Sequence, residues 1–375
     1  MYPLLKPALR HGWRDRETVQ FGVAPAHAMV LGPVDAATGD FLELLDGTRS
    51  LPLLREEARR LGLPEGAADA LVDRLVTAGL LDDPAGGGEP AAAVRGSRGW
   101  DRVRPDVAAL SLVHPAPGAG IRAMGVRRET WVRVRGAGRV GAAVAAVLSA
   151  SGVGRVEVTD GGCVEPADVA PAGLAPDQIG ERREAAAGRL VRRASPWGRT
   201  RRVTDGDRAG PALVVLAPRD GLAAYAPDPA EAAPLLAAGV PHLYTGVVEG
   251  TGVVGPLVLP GVTPCAGCLA AHRADREPYW GRLLAQWRSG RRRGPAACDT
   301  ALATMVTGLT AAHALIFLDG RLPASAGARL EPALPALTCT PLHIEAHPEC
   351  PCGAAGSSKE GYPSAPEASH VTMAG

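Results

Sequence analysis

Residues 131–160 constrain the fold of this chain more than any other stretch, and they read WVRVRGAGRVGAAVAAVLSASGVGRVEVTD. Valines alternate at the start, small apolar residues follow three glycines, and valines alternate again before Asp160. The pattern predicts a strand, a glycine turn, a helix and a second strand. In such a unit Gly136 makes the tight turn, Gly138 admits a phosphate, Gly141 lets helix and strand touch, and Asp160 meets a ribose hydroxyl. We therefore predict a dinucleotide-type α/β fold.

Composition limits the functions that such a fold can carry here. The 375 residues predict two or three domains, and 40 basic against 39 acidic side chains give a net charge of +1. That charge produces no general attraction for nucleic acid or anionic membranes, and 4% aromatic residues argue against a base-stacking surface. We find neither an uninterrupted apolar run of membrane length nor a signal-peptide pattern at the start. We expect a cytoplasmic protein with no nucleic-acid or membrane partner, whose seven cysteines are reduced or metal-bound.

Residues 1–83 form the first predicted domain. Short strands are expected at 18–21 and 28–31, and helices at 36–46, 51–61 and 65–78. Strands followed by three short helices correspond to a winged-helix plan. A DNA-binding role is disfavoured because the third helix offers Arg74 as its single base, whereas a groove reader needs several.

The rest of the chain divides into three parts. Residues 84–105, rich in glycine and proline, are predicted to be a linker, and residues 354–375 a disordered tail. Residues 106–353 are predicted to form a Rossmann-type domain with a doubly wound sheet and an antiparallel extension. Its further elements are expected to be helices at 180–194, 230–238 and 301–318, strands at 201–203, 211–217 and 242–245, and hairpins at 246–262.

Four cysteines are spaced as zinc ligands. Cys265 and Cys268 form a CxxC pair, and Cys350 and Cys352 form a CxC pair near the end of the chain. Four thiolates close a tetrahedral structural zinc site. The alternatives are a redox CxxC, disfavoured because this pair is expected in a loop, and His347 as a substitute ligand. Cys298 could be a nucleophile, but an inert thiol is favoured because no histidine is near in sequence.

The combination of motifs resembles a known family. GAGRVG followed by VTD, the helix start at Gly180 to Arg183, the stretch GPLVLPGVTPCAGC and the terminal HPECPCG are similar to the ThiF-like proteins, relatives of the ubiquitin-activating enzymes. The resemblance covers about residues 106–353 and implies carboxylate adenylation, a four-cysteine zinc and, commonly, a dimer. With its N-terminal domain, the chain resembles the ThiF-like proteins that bind leader peptides beside YcaO-type cyclodehydratases in azole and azoline ribosomal peptide pathways, including those of bacteriocins and thiopeptides.

Departures from the active members indicate a non-catalytic protein. The family's Asn and Arg after the ribose acid are absent from residues 165–173, Arg183 stands at the lysine position, and Asp220 comes a few positions late for the magnesium ligand. Adenylation needs these charges to stabilise its phosphates. We expect Gly136, Gly138, Gly141, Asp160 and Arg183 to form a vestigial nucleotide site; the alternative is an enzyme that binds ATP and adenylates a peptide carboxylate or amide.

The resemblance places the working surface in residues 1–83. We expect a precursor leader peptide to add as a strand beside residues 27–31 and to lie against the third helix. The predicted contacts are His27, Ala28, Met29, Val30, Leu31, Leu71, Arg74 and Leu75. For Leu71 and Leu75 an ordinary core position is at least an equal alternative. A nicotinamide or flavin oxidoreductase would rest on the glycines alone.

Overall fold

The computed structural model describes residues 1–198, 210–290, 295–356 and 372–373. The chain forms two compact units, residues 1–128 with 365–375, and residues 129–364. The predicted strand at 201–203 and most of the predicted tail, residues 357–371 and 374–375, lie outside the described residues. Residues 354–356 form a single 3₁₀ turn.

The first unit combines short strands with helices. Its elements are β1 (Leu4–Leu5), β2 (His11–Trp13), β3 (Val19–Phe21), β4 (Met29–Leu31), α1 (Ala36–Glu43), α2 (Leu51–Arg60), α3 (Ala67–Thr77), β5 (Leu81–Asp82), α4 (Gly88–Arg95), α5 (Trp100–Val113) and α6 (Ala119–Glu129). Strand β1 pairs with β5, and β3 lies between β2 and β4 in an antiparallel sheet. Apolar residues of β3, β4 and the first three helices share one buried core.

The prediction of a linker at 84–105 is wrong. Two helices, α4 and α5, cover most of that range and continue beyond it. Ala91, Val94 and Val103 on these helices are completely buried. The glycines and prolines of this stretch lie mainly at helix ends or in first turns, where they are compatible with a helix. The first compact unit consequently extends to Arg128 rather than to residue 83.

The second unit is built on a seven-stranded sheet. Its elements are β6 (Trp131–Arg135), α7 (Gly141–Ala150), β7 (Arg155–Thr159), α8 (Arg183–Ala194), β8 (Leu213–Leu216), α9 (Gly221–Tyr225), α10 (Pro229–Ala237), β9 (His242–Val248), β10 (Thr251–Val258), α11 (Ala266–Arg276), α12 (Trp280–Ser289), α13 (Thr300–Leu318), β11 (Ala328–Leu330) and β12 (Pro341–His343). The strand order is β12-β11-β10-β9-β8-β6-β7. Strands β7, β6, β8 and β9 are parallel, and β10 to β12 are antiparallel. This confirms the predicted α/β fold with a mixed sheet.

The strand order positions a site at the end of β6. Strand β6 pairs with β7 on one side and β8 on the other, so successive connections diverge from its carboxyl end. Such a switch point leaves a crevice outside the strand ends. The glycine turn that follows β6 lies in this crevice.

Helix α13 is long and apolar enough to cross a membrane by length and composition. It is nevertheless a core helix of this unit, because Leu302, Val306, Ala311 and Ala314 are at most 2% exposed and belong to the main hydrophobic core. Asp299 caps its start by accepting a hydrogen bond from the amide of Leu302 at 3.0 Å. Burial against the sheet explains its apolar composition.

A last strand, β13 (Thr372–Met373), pairs in parallel with β4 through Val30 and Leu31. The small sheet of the first unit therefore has the order β13-β4-β3-β2. The edge of β4 that faces away from β3 is thus able to accept an added strand.

Candidate functional site

Each of the three glycines in the turn occupies a different structural setting. Gly136 has φ = +106°, and a Cβ there would lie 1.9 Å from the carbonyl oxygen of Ala217 at the end of β8. A Cβ on Gly141 would lie 2.2 Å from the carbonyl oxygen of Gly136. Both positions therefore require glycine for the turn and for close packing. A Cβ on Gly138 would meet the Cγ of Arg219 at 2.8 Å, so an arginine side chain covers the glycine predicted to admit a phosphate.

Asp160, the predicted ribose ligand, is engaged within the protein. The amide of Ala137 donates to its Oδ2 at 2.5 Å, and Nε of Arg183 donates to its Oδ1 at 2.9 Å. The side chains of Asp160 and Arg183 are each 9% exposed. Each carboxylate oxygen of Asp160 accepts a hydrogen bond from within the protein, and the side chain is largely buried, so little of it is left for a ribose hydroxyl to reach.

Three further residues extend this contact into an arginine–carboxylate cluster. We give that name to Asp160, Glu165, Asp168, Arg183 and Arg219. Arg219 donates from Nε to Asp168 Oδ1 at 2.7 Å and from Nη2 to Glu165 Oε2 at 2.9 Å. Nη1 of Arg183 lies 3.5 Å from Asp168 Oδ2. Three carboxylates and two guanidiniums leave a formal charge of −1 beside the glycine turn.

The cluster's electrostatics oppose a polyphosphate. The hydrogen bond from Arg219 and its positive charge lower the pKa of Glu165, so this carboxylate stays ionised. Asp168 is 2% exposed and is held by the amide of Glu165 at 2.9 Å as well as by the arginines. Arg183 and Arg219 are therefore neutralised by the protein's own carboxylates, whereas Arg139, inside the turn, donates to the carbonyl of Cys298 at 2.7 Å and to the hydroxyl of Thr300 at 3.2 Å. Glu165, Asp168 and Arg219 were missed by the sequence reasoning; the signal was the position of Arg219, three residues after the end of β8, a strand that flanks the switch point.

Asp220 has a structural function in this arrangement. It precedes α9, and its Oδ1 accepts a hydrogen bond from the amide of Leu222 at 2.9 Å. It also lines an 820 Å³ cavity whose walls include Trp280, Trp287 and Tyr225. A carboxylate thus stands near the switch point, although the sequence comparison placed it late for a metal ligand.

The four predicted zinc ligands come together. Sγ of Cys265 lies 3.6 Å from Sγ of Cys350, and Sγ of Cys268 lies 3.6 Å from Sγ of Cys352. All four sulfurs are within 4.8 Å of one another. A tetrahedral zinc with Zn–S of about 2.3 Å requires sulfur separations of about 3.8 Å, whereas a disulfide requires about 2.05 Å. The donor set therefore fits zinc.

The surroundings of the sulfurs support a cation. Burial raises the pKa of the Cys265 thiol, so a bound metal is what would favour its thiolate form. A Cβ on Gly267 would lie 2.9 Å from Sγ of Cys350, so a glycine lets the two cysteine pairs approach. The prediction of a loop around the CxxC pair is wrong, because Cys265 caps α11 and Cys268 lies in its first turn.

His347 is not needed to complete this set. Its Nε2 lies 3.0 Å from Oδ2 of Asp275, and its Nδ1 accepts from the amide of Glu349 at 3.2 Å. The turn that His347 begins carries Cys350, whose amide donates to the carbonyl of His347 at 3.0 Å. His347 thus supports the cysteine turn. Cys298 is half-buried and burial raises the pKa of its thiol, which does not favour a nucleophile.

The residues predicted to contact a leader are distributed between surface and core. His27 is exposed and Ala28 half-buried, and both precede β4. Met29 and Val30 on β4 are half-buried, whereas Leu31 is 1% exposed. On α3, Leu71 and Arg74 are half-buried, and Leu75 is 0% exposed. Leu75 and Leu31 are therefore core residues with no side-chain surface for a peptide, and the core alternative applies to Leu75.

The glycine turn at a switch point, the mixed sheet and the four-cysteine cluster define an α/β protein of the dinucleotide-fold class with a metal-ligand knuckle. The chain belongs to the ThiF family, whose model matches residues 120–352. No curated protein sequence matches it.

Solved structures with this fold include one of Escherichia coli MccB, another of MccB and one of PaaA. The chain is 16% identical to MccB with ATP, over 94% of this chain and 100% of that one, with a TM-score of 0.66. The same figures apply to the microcin C7 biosynthetic enzyme MccB in complex with N-formylated MccA. PaaA is 17% identical over 90% of this chain and 99% of that one, with a TM-score of 0.66. At these identities the likeness shows the fold alone.

Proposed function

We propose that this protein binds the leader of a ribosomally made precursor peptide and presents it to a YcaO-type cyclodehydratase without itself adenylating a substrate. The observation that carries the non-catalytic part is the occupation of Asp160. Its two oxygens accept from Ala137 and from Arg183, so the ribose ligand of the fold is used internally.

The charge of the arginine–carboxylate cluster supports the same conclusion. A nucleoside triphosphate beside the glycine turn would have to displace Arg219, which covers Gly138 and bonds two carboxylates at 2.7 and 2.9 Å. Displacement would remove the cation that pairs with Asp168 and Glu165 and leave both carboxylates beside the phosphates, and like charges at short range repel. The side chains therefore favour a closed turn over a phosphate site.

The edge of β4 supports leader binding. Residues Thr372–Met373 pair with it in the structure, so its backbone groups are arranged to accept a strand, and a leader would replace this short strand on binding. Strand addition gives affinity through backbone hydrogen bonds, and neighbouring side chains give specificity. Leu71 and Arg74 are half-buried on α3, and Nη2 of Arg74 lies 3.4 Å from the carbonyl of Gly32, directly after β4. We infer a winged-helix-like recognition unit in which α3 lies beside the added strand.

The MccB structures support a peptide as the ligand class. One MccB structure contains the analogue AMPCPP with MccA, and another is a complex with N-formylated MccA. Those ligands belong to MccB. For this chain they support the proposal that the same fold binds a ribosomal peptide. Whether a nucleotide also binds depends on the charges of the arginine–carboxylate cluster.

Calorimetric titration of the full chain with a synthetic leader, taken from the precursor gene beside its own, tests the leader site. We expect Leu71→Asp to weaken binding at least about tenfold, because a bound leader would bury the carboxylate at this half-buried position. Leu53→Asp on α2, where Leu53 is 41% exposed, is the matched control and should bind as the wild type does. Thermal melting must show that both variants fold. Absence of leader binding, or equal effects of the two substitutions, contradicts the proposal.

The presenting role has its own test. Precursor cyclodehydration by the purified YcaO-type enzyme should depend on this chain, and the Leu71→Asp chain should restore little of the rate. Equal product formation with and without the chain would reject a presenting function even if the leader binds.

An active adenylating enzyme is the second candidate, favoured by Asp220. This carboxylate follows β8 at the switch point and lines the 820 Å³ cavity. Peptide-dependent exchange of pyrophosphate into ATP, lost in Asp220→Asn, would establish that candidate and overturn the non-catalytic proposal. We expect no exchange and no saturable ATP binding by the wild-type protein.

We also infer that Cys265, Cys268, Cys350 and Cys352 hold one structural zinc. Elemental analysis of protein purified without added metal should give one zinc per chain. We also propose a homodimer, on the basis of the family resemblance. Analytical ultracentrifugation would measure the molecular mass in solution and so test for it.

A further inference from the structure

A second cavity in the Rossmann-type unit adjoins the 820 Å³ cavity, with which it shares Tyr225 and Glu331. Its volume is 440 Å³, and it is bounded by α11, the β11–β12 pair and Tyr225 of α9. Arg329 on β11 pairs with Leu342 on β12, so their side chains share one face of the sheet. Helix α11 contributes Arg273 and Arg276 to the opposite wall. We call this cavity the arginine pocket.

Arg329 is unusual for a buried arginine. It is 2% exposed, and its Nη1 donates to the carbonyl of Tyr225 at 3.0 Å. Its Nε and Nη2 have no hydrogen-bond partner among the residues that the structure describes. Nη2 lies 3.3 Å from Oε1 of Glu331, which is an ion-pair distance without hydrogen-bond geometry. Burial lowers the pKa of Arg329 to about 10, so it remains protonated at neutral pH.

Arg273 is held at the boundary of the pocket by aromatic rings. Its guanidinium carbon lies 4.2 Å from the ring centre of Tyr225 and 4.9 Å from that of Trp280. Its Nη1 donates to the same Tyr225 carbonyl at 2.9 Å. Stacking fixes the plane of a guanidinium and leaves its remaining N–H groups to bond in that plane.

The charges around the pocket leave a positive excess. The lining contains Arg273, Arg276 and Arg329 against Glu331 and Glu345. Glu331 is engaged by Arg329, and Glu345 is exposed. The guanidiniums of Arg273 and Arg276 line the pocket together with the buried guanidinium of Arg329. Such a group of donors favours a planar anion that can accept two hydrogen bonds.

We propose that the arginine pocket binds a carboxylate group of a peptide, with Arg273 and Arg276 as its direct contacts and Arg329 as the buried charge beneath them. Leu269, Leu342 and Ile344 supply apolar surface for the adjoining chain, and Leu342 is 52% exposed at the pocket's edge. Apolar walls with a few convergent donors suit an amino-acid residue better than a free inorganic anion. None of the pocket's lining residues belongs to the glycine turn or to the proposed leader site.

Titrations of the full chain with small blocked amino acids test the assignment. N-acetylglutamic acid α-amide carries a side-chain carboxylate, N-acetylglutamine carries a terminal one, and N-acetylglutamine amide carries none. We expect at least one of the two acids to bind with a millimolar Kd, and the neutral amide to show no saturation. NMR spectra of the arginine Nε–H groups report the binding site directly. The Nε–H resonances of Arg273 and Arg276 should shift when an acid binds.

Variants separate the pocket from general charge. Arg273→Gln should weaken the bound acid roughly tenfold, and Arg276→Gln, at an exposed position, should weaken it several-fold without disturbing the fold. Arg282→Gln removes one exposed charge from α12, outside the pocket, and should leave the affinity unchanged. Equal binding of acid and amide, no change in either pocket variant, or the same loss in Arg282→Gln would overturn the proposal. Saturation by inorganic phosphate but by neither acid would overturn the carboxylate assignment. These titrations use small blocked amino acids and no leader peptide, so their outcome does not depend on whether the leader binds.

Discussion

Replacing Asp168 by alanine should destabilise the protein strongly, because this carboxylate holds the arginine–carboxylate cluster together. Its side chain is 3% exposed and lies 2.7 Å from Nε of Arg219 and 3.5 Å from Nη1 of Arg183. Removing one member of a buried ion pair costs about 3–5 kcal/mol when the remaining charge cannot reach water. Arg219 is 31% exposed and regains solvent, while Arg183 keeps Asp160, so we expect about 3 kcal/mol.

Urea denaturation followed by circular dichroism measures this loss. The matched control is Asp101→Ala, because Asp101 is 87% exposed and lies 3.6 Å from Arg104; its removal should change the free energy of unfolding by less than about 0.5 kcal/mol. A double-mutant cycle of Asp168→Ala with Arg219→Ala should give a coupling energy of about 1–3 kcal/mol. A loss below about 1 kcal/mol for Asp168→Ala, or additive single effects, would refute the view that the cluster closes the glycine turn.

Three other outcomes follow from the structure. Cys268→Ser or strong chelation should remove zinc and lower the melting temperature, since a structural zinc site can contribute on the order of 10 kcal/mol; an unchanged melt in chelator would contradict the site. Gly136→Ala should prevent stable folding because of its φ of +106° and the 1.9 Å clash, whereas Gly161→Ala, with open space around its Cβ, should fold normally and serves as the comparison. The lowered pKa of Glu165 means that its contact with Arg219 stabilises the fold above the ordinary pKa of about 4.5, and that this contribution is lost as the pH falls through the folded value. The stability difference between wild type and Glu165→Gln should accordingly shrink in acid and not in base.

Local patterns accounted for much of the fold. The glycines, the small apolar residues of α7 and the alternating valines of β6 and β7 are contiguous, so the unit 131–160 was predictable. The helices α1 to α3 were predictable from periodicity and glycine stops, and α13 from its long apolar run, whereas the glycines of 246–262 predicted antiparallel pairing there without the bounds of β9 and β10. The four-cysteine cluster was predictable because zinc ligands have restricted spacing and chemistry.

Other features depend on residues far apart in sequence. Arg219 reaches Asp168 and Glu165 across more than 50 positions, and no local pattern announces such a contact. The helices α4 and α5 were missed because glycines and prolines are frequent at and between their ends, whereas burial of Val94 and Val103 stabilises them as helices. The arginine pocket is assembled from three segments of the unit and has no signature in any one of them.

The cysteine cluster also fixes which parts of the chain can separate after cleavage. It joins residues 265–268 to residues 350–352, so the segment from α11 to β12 forms a closed ring once a metal is bound. A protease cut between α12 and α13 would open the backbone of that ring but leave its two ends attached through the thiolates. The fragments should migrate together in native conditions and part when the metal is chelated and the core is unfolded. A nicked sample of this protein could therefore be mistaken for an intact one until it is denatured.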